Sequence, residues 1–129
     1  SALFATLDFL PTFANLAGFD IPGDRVIDDI DQTELLSGTK PMGARTTFLY
    51  QTNGLRRNEW KYLKAKHNVG NYAADKDRPE VEELYNLTTD PGETNNLADA
   101  NPKMVAELKE LMTTIIGSGK KLSAEDNKR

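Results

Sequence analysis

The sequence contains no cysteine and a single histidine, His67. No disulfide, thiolate nucleophile or cysteine-based metal site can therefore form, and a histidine-rich metal centre is excluded. There is no apolar run of about 18 residues, the length that would span a bilayer. The opening stretch, Ser1 to Leu10, is apolar but has neither a basic start nor a small-residue cleavage site, so it does not read as a signal peptide. No initiator Met is present, which is expected of a chain that begins inside a longer protein. No surplus of basic residues exists either: the net charge is -4, the reverse of what neutralising nucleic-acid phosphates demands.

What is present suits one folded α+β domain of 129 residues, 38% hydrophobic and 28% charged. Asp8 as cap, Pro11 in the first turn and Gly18 past the end predict a short helix over Phe9 to Ala17, apolar around most of its circumference. An irregular acidic segment follows from Phe19 to Thr39, with one helical turn opened by Asp31 and closed by Gly38. Its acids only loosely mimic a calcium loop, because the required glycine and closing acid are missing, so they read as caps and solvated charge.

Thr46 to Gln51, Leu55 to Arg57, Trp60 to Ala65 and Glu83 to Leu87 have strand composition. Asn53-Gly54 marks a turn between the first two, and an exposed loop over Lys66 to Glu82 precedes the last. Asn101-Pro102 opens a helix of about four turns whose apolar residues recur at three- and four-residue spacing as far as Gly117. The expected fold is a small antiparallel sheet of about four strands packed against this C-terminal amphipathic helix, preceded by the short apolar helix and the acidic segment. Residues 1–45 form a helix and loop segment, 46–117 a subdomain and 118–129 a disordered tail.

Catalytic machinery is missing from this pattern. There is no G-x-S-x-G, no phosphate-binding glycine loop and no H-E-x-x-H, and His67 lies in polar sequence without an evident partner. The best candidate site is the basic stretch holding Arg56, Arg57, Trp60, Lys61 and Lys64, whose cations and ring could hold an anionic, sugar-like ligand. A plainer account makes Trp60 and Tyr62 core residues under the last helix and the cations a solvated rim. Asp90-Pro91-Gly92-Glu93 is a tight turn in which Asp90 accepts from the backbone two residues on and Gly92 permits the geometry. Asn86-Leu87-Thr88 also fits a glycosylation sequon.

The succession DFLPTFANLAG, Asp24-Arg25, IDDID, LLSG, NEWKYL and ELYNLTTDPGETNNLA, closed by an amphipathic helix, resembles the C-terminal third of the arylsulfatase family. That resemblance implies an intact enzyme with an alkaline-phosphatase-like α/β catalytic domain ahead of this chain, which would be its natural partner. It also implies a formylglycine made from Cys or Ser within a C/S-x-P-S/A-R motif, and calcium to neutralise sulfate oxygens. Neither cofactor nor metal is expected in this chain, which lacks the motif, and no catalytic role carries over to any position. A sulfated small molecule or glycan is the implied substrate, and a periplasmic or secreted location is implied for the parent. Asn53 to Arg57 is shorter than in many relatives, and Asp29 stands where many have glycine. The competing readings are a stand-alone module for anionic glycans, and a protein-interaction domain that self-associates through the helix Phe9 to Ala17.

Overall fold

The computed structural model describes residues 2–21, 28–65 and 81–118. The expected Asp24-Arg25 element, His67, most of the 66–82 loop and the terminal tail lie outside the described residues. The chain divides into two compact units, Ser1–Phe48 with Ile115–Arg129, and Leu49–Thr114.

In the first unit a 3-10 turn, Thr6–Asp8, runs directly into helix α1, Phe9–Leu16. Gly18, at φ +74°, ends the helix as its sequence position predicts. Phe19 N donates to Ala14 O and Gly18 N to Asn15 O, the paired closure that a left-handed glycine allows. Asp8 stands at the capping position but does not cap. Continuous with the preceding turn, it has helical dihedrals that aim its carboxylate away from the first helical N–H groups, and it accepts instead from Ala5 N and Ile30 N. The one-turn helix α2, Thr33–Leu36, begins one residue later than expected: Gln32, not Asp31, holds the capping position, without a side-chain cap bond, while Asp31 Oδ1 accepts from Thr33 N and Thr33 Oγ1 just ahead of it.

Strands β1 Thr47–Tyr50, β2 Gly54–Arg57, β3 Trp60–Leu63 and β4 Glu83–Asn86 form a four-stranded antiparallel sheet in the order β1-β2-β3-β4. Helix α3, Pro102–Ser118, completes the α+β fold that the sequence predicts. Leu55, Tyr62 and Leu84 are opposite one another in register on three adjacent strands, and all three are fully buried. Their common face is the centre of the second unit, to which Val105, Leu108 and Met112 of α3 add buried side chains at three- and four-residue spacing.

Two glycines act otherwise than expected. The turn after β1 places its left-handed residue at Gln51, φ +53°, and Asn53 N donates to Tyr50 O. Gly54 is already in β2, where a Cβ would lie 2.4 Å from Tyr62 O and 2.6 Å from Leu63 Cδ2, so close approach of the neighbouring strand requires it. Gly117 does not stop α3, which continues to Ser118, because a single glycine weakens a helix without terminating it. The outer edge of β4 is closed by a side chain: Asn96 Oδ1 accepts from Leu84 N, its Nδ2 donates to Glu82 O, and Leu97 N donates to Leu84 O.

Candidate functional site

The β2–β3 hairpin carries the basic and aromatic stretch, and its register separates the candidates. Directly opposite residues of an antiparallel pair share a face, and successive residues alternate between faces. Arg57 pairs with Trp60 on the face of Leu55 and Tyr62, whereas Arg56 pairs with Lys61 on the other. Lys64 follows the end of β3 and donates its backbone N–H to Asn53 O. The five predicted residues therefore do not converge on one surface.

On the Lys61 face the cations are engaged by the protein itself. Lys61 Nζ lies 2.6 Å and 2.7 Å from the two carboxylate oxygens of Glu93, and 5.4 Å from the ring centroid of Tyr50. Arg56 is buried and its Nε donates to Asn58 O. Like charges opposite each other on a sheet repel, and Glu93 offsets that repulsion. Burial pushes the Tyr50 phenol above its ordinary pKa, with Arg56 opposing and Glu93 adding to the rise. Next along β4, Tyr85 donates its hydroxyl to Glu83 Oε2 at 2.8 Å.

Glu93 is the functional-looking residue that sequence reasoning missed. The positive φ of the Asp90 turn falls on Glu93, at +55°, and not on Gly92. This left-handed step turns the chain so that Thr94 N and Asn95 N both donate to the Asp90 carboxylate, four and five residues on, where two was expected. These N–H groups, Thr94's first, hold the Asp90 carboxyl below its ordinary pKa. The only signal in the sequence was an acid following Asp-Pro-Gly, and nothing local pointed it at Lys61.

On the other face Arg57 and Trp60 are both half-buried and adjacent. Tyr62, expected in the core, is fully buried; Trp60, expected beside it, is not. Tyr62 donates its hydroxyl to Glu82 Oε1 at 2.6 Å, and the same oxygen accepts from Lys109 Nζ of α3 at 2.7 Å. The Tyr62 phenol is pushed up by its burial and then by Glu82, whereas Glu82 is held down chiefly by Lys109. A groove of about 610 Å³ lies alongside, lined by Val81, Glu82, Asn96, Val105 and Lys109 among others. The polar groups of Asn96, Glu82 and Lys109 in it already bond to the protein.

The first unit holds a second charged centre. The Arg45 guanidinium grips the Asp8 carboxylate with two donors, Nε to Oδ2 at 2.8 Å and Nη2 to Oδ1, and Nη2 also donates to Asp28 O at 2.7 Å. Both side chains are almost wholly buried. Burial opposes the Asp8 charge, but the Arg45 bond together with the N–H groups of Ala5 and Ile30 outweighs it and holds the carboxyl below its ordinary pKa. Among the described residues no group of three or more His, Asp or Glu side chains is placed to hold a metal ion.

Fold and site together define an α+β chain in which Arg45, Arg56, Lys61 and Lys109 are bound to its own carboxylates and carbonyls. No protein-family model matches the chain. It is 30% identical over 128 residues to an N-acetylgalactosamine-6-O-sulfatase of Bacteroides thetaiotaomicron, covering 88% of this chain and 24% of that protein. Among solved structures, a protein of glycosaminoglycan metabolism from Bacteroides thetaiotaomicron aligns with a TM-score of 0.65 and 27% identity, over 89% of this chain and 25% of that one. A 2-O GAG sulfatase aligns with a TM-score of 0.58 and 26% identity, over 95% of this chain and 25% of that one. The chain matches the C-terminal region of sulfatases, as its motifs suggested, and spans about a quarter of the length of these relatives.

Proposed function

We propose that the intact protein hydrolyses sulfate esters of amino sugars or glycosaminoglycans, and that this chain is its C-terminal layer, which supports the fold and borders the substrate without cleaving it. The observation that carries this reading is the match of 88% of the chain to an N-acetylgalactosamine-6-O-sulfatase. In this reading residues 1–45 join the catalytic domain that precedes them and 46–117 form the subdomain. The enzyme would work in the periplasm or outside the cell; among the described residues no helix is long and apolar enough to cross a membrane.

Sulfate-ester hydrolysis needs a nucleophile and a concentrated positive charge facing the sulfate oxygens. The formylglycine and calcium that the family likeness implies do not fit the residues here. No C/S-x-P-S/A-R motif exists in the sequence. Asp28 and Asp29 each have one buried oxygen without a partner, far short of the six to eight oxygens that calcium takes. Both groups would belong to the polypeptide ahead of this chain. The rim role falls on Arg57 and Trp60, supported by their adjacency and partial exposure; Arg56 is buried on the opposite face and Lys61 there is bound to Glu93.

The test compares the intact protein with the chain alone on a 6-O-sulfated N-acetylgalactosamine substrate, following sulfate release. Turnover is expected only from the intact protein. Enzyme-like turnover by the chain alone, or none by the intact protein on any sulfated sugar, overturns the reading.

A further inference from the structure

The apolar face of the sheet ends in a polar row. Leu55, Tyr62 and Leu84 face one another across three strands and are fully buried. Two residues along each strand, and so on the same face, the next row is Arg57, Trp60 and Asn86, all three half-buried. It is the last row of these strands, at the β2–β3 hairpin end. Opposed side chains on neighbouring strands are about 5 Å apart, so a cation, an aromatic ring and an amide follow one another over roughly 10 Å. The row is held in place by the backbone around it. Leu87 N donates to Glu59 O at 2.7 Å, which ties the end of β4 to the hairpin turn. Asn86 Oδ1 accepts from Thr88 N at 3.0 Å and from Thr89 N at 3.4 Å, which fixes the amide. Its Nδ2 donates to none of the described residues. A positioned donor that the protein leaves unused can serve an acceptor on a ligand without reorganising.

We propose that this row binds the uronate that adjoins the sulfated amino sugar, with its carboxylate on Arg57, its ring face on Trp60 and a sugar oxygen on Asn86 Nδ2. The proposal rests on the rim reading of Arg57 and Trp60 and deepens it: Asn86 joins them as a specificity-determining residue, and the substrate becomes an acidic oligosaccharide in place of a single sugar. Each group suits its share of such a ligand. A guanidinium pairs with a carboxylate through two parallel N–H bonds, an aromatic ring packs on the C–H face of a sugar, and an amide donates to hydroxyl or carbonyl oxygens. Arg56, Arg57 and Lys61 of the hairpin also outnumber Glu59 in its turn and Glu93 bound to Lys61, so the field at this end of the sheet favours an anion. In glycosaminoglycans, one arm of the sulfatase reading, amino sugars alternate with uronates, which supplies the neighbour that the row requires.

Calorimetric titration of the intact protein with an unsulfated tetrasaccharide of alternating glucuronate and N-acetylgalactosamine tests the row apart from catalysis, because this probe has no sulfate to release. Asn86→Asp keeps the acceptor that Thr88 N and Thr89 N use and replaces the donor by a second acceptor, so the turn is preserved. Trp60→Leu keeps an apolar side chain without the ring, and thermal melting establishes that both variants fold. The wild type is expected to bind the probe, and each substitution to weaken binding about tenfold. The wild type should also prefer the probe to its carboxyl-reduced form about tenfold, a preference that Arg57→Gln removes. No binding by the wild type, an affinity that either folded variant leaves unchanged, or a carboxylate preference that survives Arg57→Gln overturns the proposal. Sulfate release from sulfated sugars is measured in parallel: binding that depends on the row without any turnover sinks only the sulfatase reading, and turnover with binding that ignores the row sinks only this one.

Discussion

Asp8 shows how a residue's role is set by what it meets. Its place before Pro11 marked it as a helix cap, yet its carboxylate is committed to Arg45, Ala5 N and Ile30 N. Removing one member of a buried, fully bonded ion pair strands the other, so Asp8→Asn should cost about 3 kcal/mol in urea unfolding of the intact protein. The pH dependence follows from the lowered carboxyl pKa. A carboxyl depressed by folding contributes stability that is complete above about pH 4 and is lost as pH falls through its folded value. The difference between wild type and Asp8→Asn should therefore be largest at neutral pH and shrink on acidification, and a pH-independent gap would refute the assignment. Glu93 teaches the same lesson in the second unit, since its left-handed backbone and its bond to Lys61 were both invisible in its neighbours.

Elements were more legible than residue roles. Strand composition placed all four strands and three- and four-residue apolar spacing placed the last helix within a few residues, because both signals are carried by residues close in the chain. Glycine roles were misread where they depended on a neighbouring strand. Gly54→Ala should cost at least about 2 kcal/mol, since its Cβ would meet the Tyr62 carbonyl, part of the backbone that cannot yield without breaking the ladder. Gly117→Ala should instead stabilise by about 0.5–1 kcal/mol, because the site is helical and open. Chemical denaturation of the two variants checks both signs, and equal effects would mean that close approach is not what constrains Gly54.

For the whole molecule, the candidate site was legible as composition but not as a place. A run of cations and rings can be read from consecutive letters, yet alternation sends Arg57 and Trp60 to one face and Arg56 and Lys61 to the other. If Arg57 and Trp60 border the substrate, replacing either by Ala in the intact protein should raise KM several-fold with kcat nearly unchanged, as expected for contacts equal in ground and transition states. Lys61→Ala should act mainly on stability, by stranding Glu93. A fall in kcat at constant KM for Arg57→Ala would remove the rim role.

The sequence by itself determined the kinds of elements, their order, the missing nucleophile motif and the likeness to sulfatases, all of which depend on residues close in the chain or on an ordered series of short motifs. Only the tertiary structure decided which charges are spent internally and which side chains share a face. Asp8 meets Arg45 across 37 positions and Lys61 meets Glu93 across 32. Such pairings are fixed by how elements fold together, and no local period encodes them.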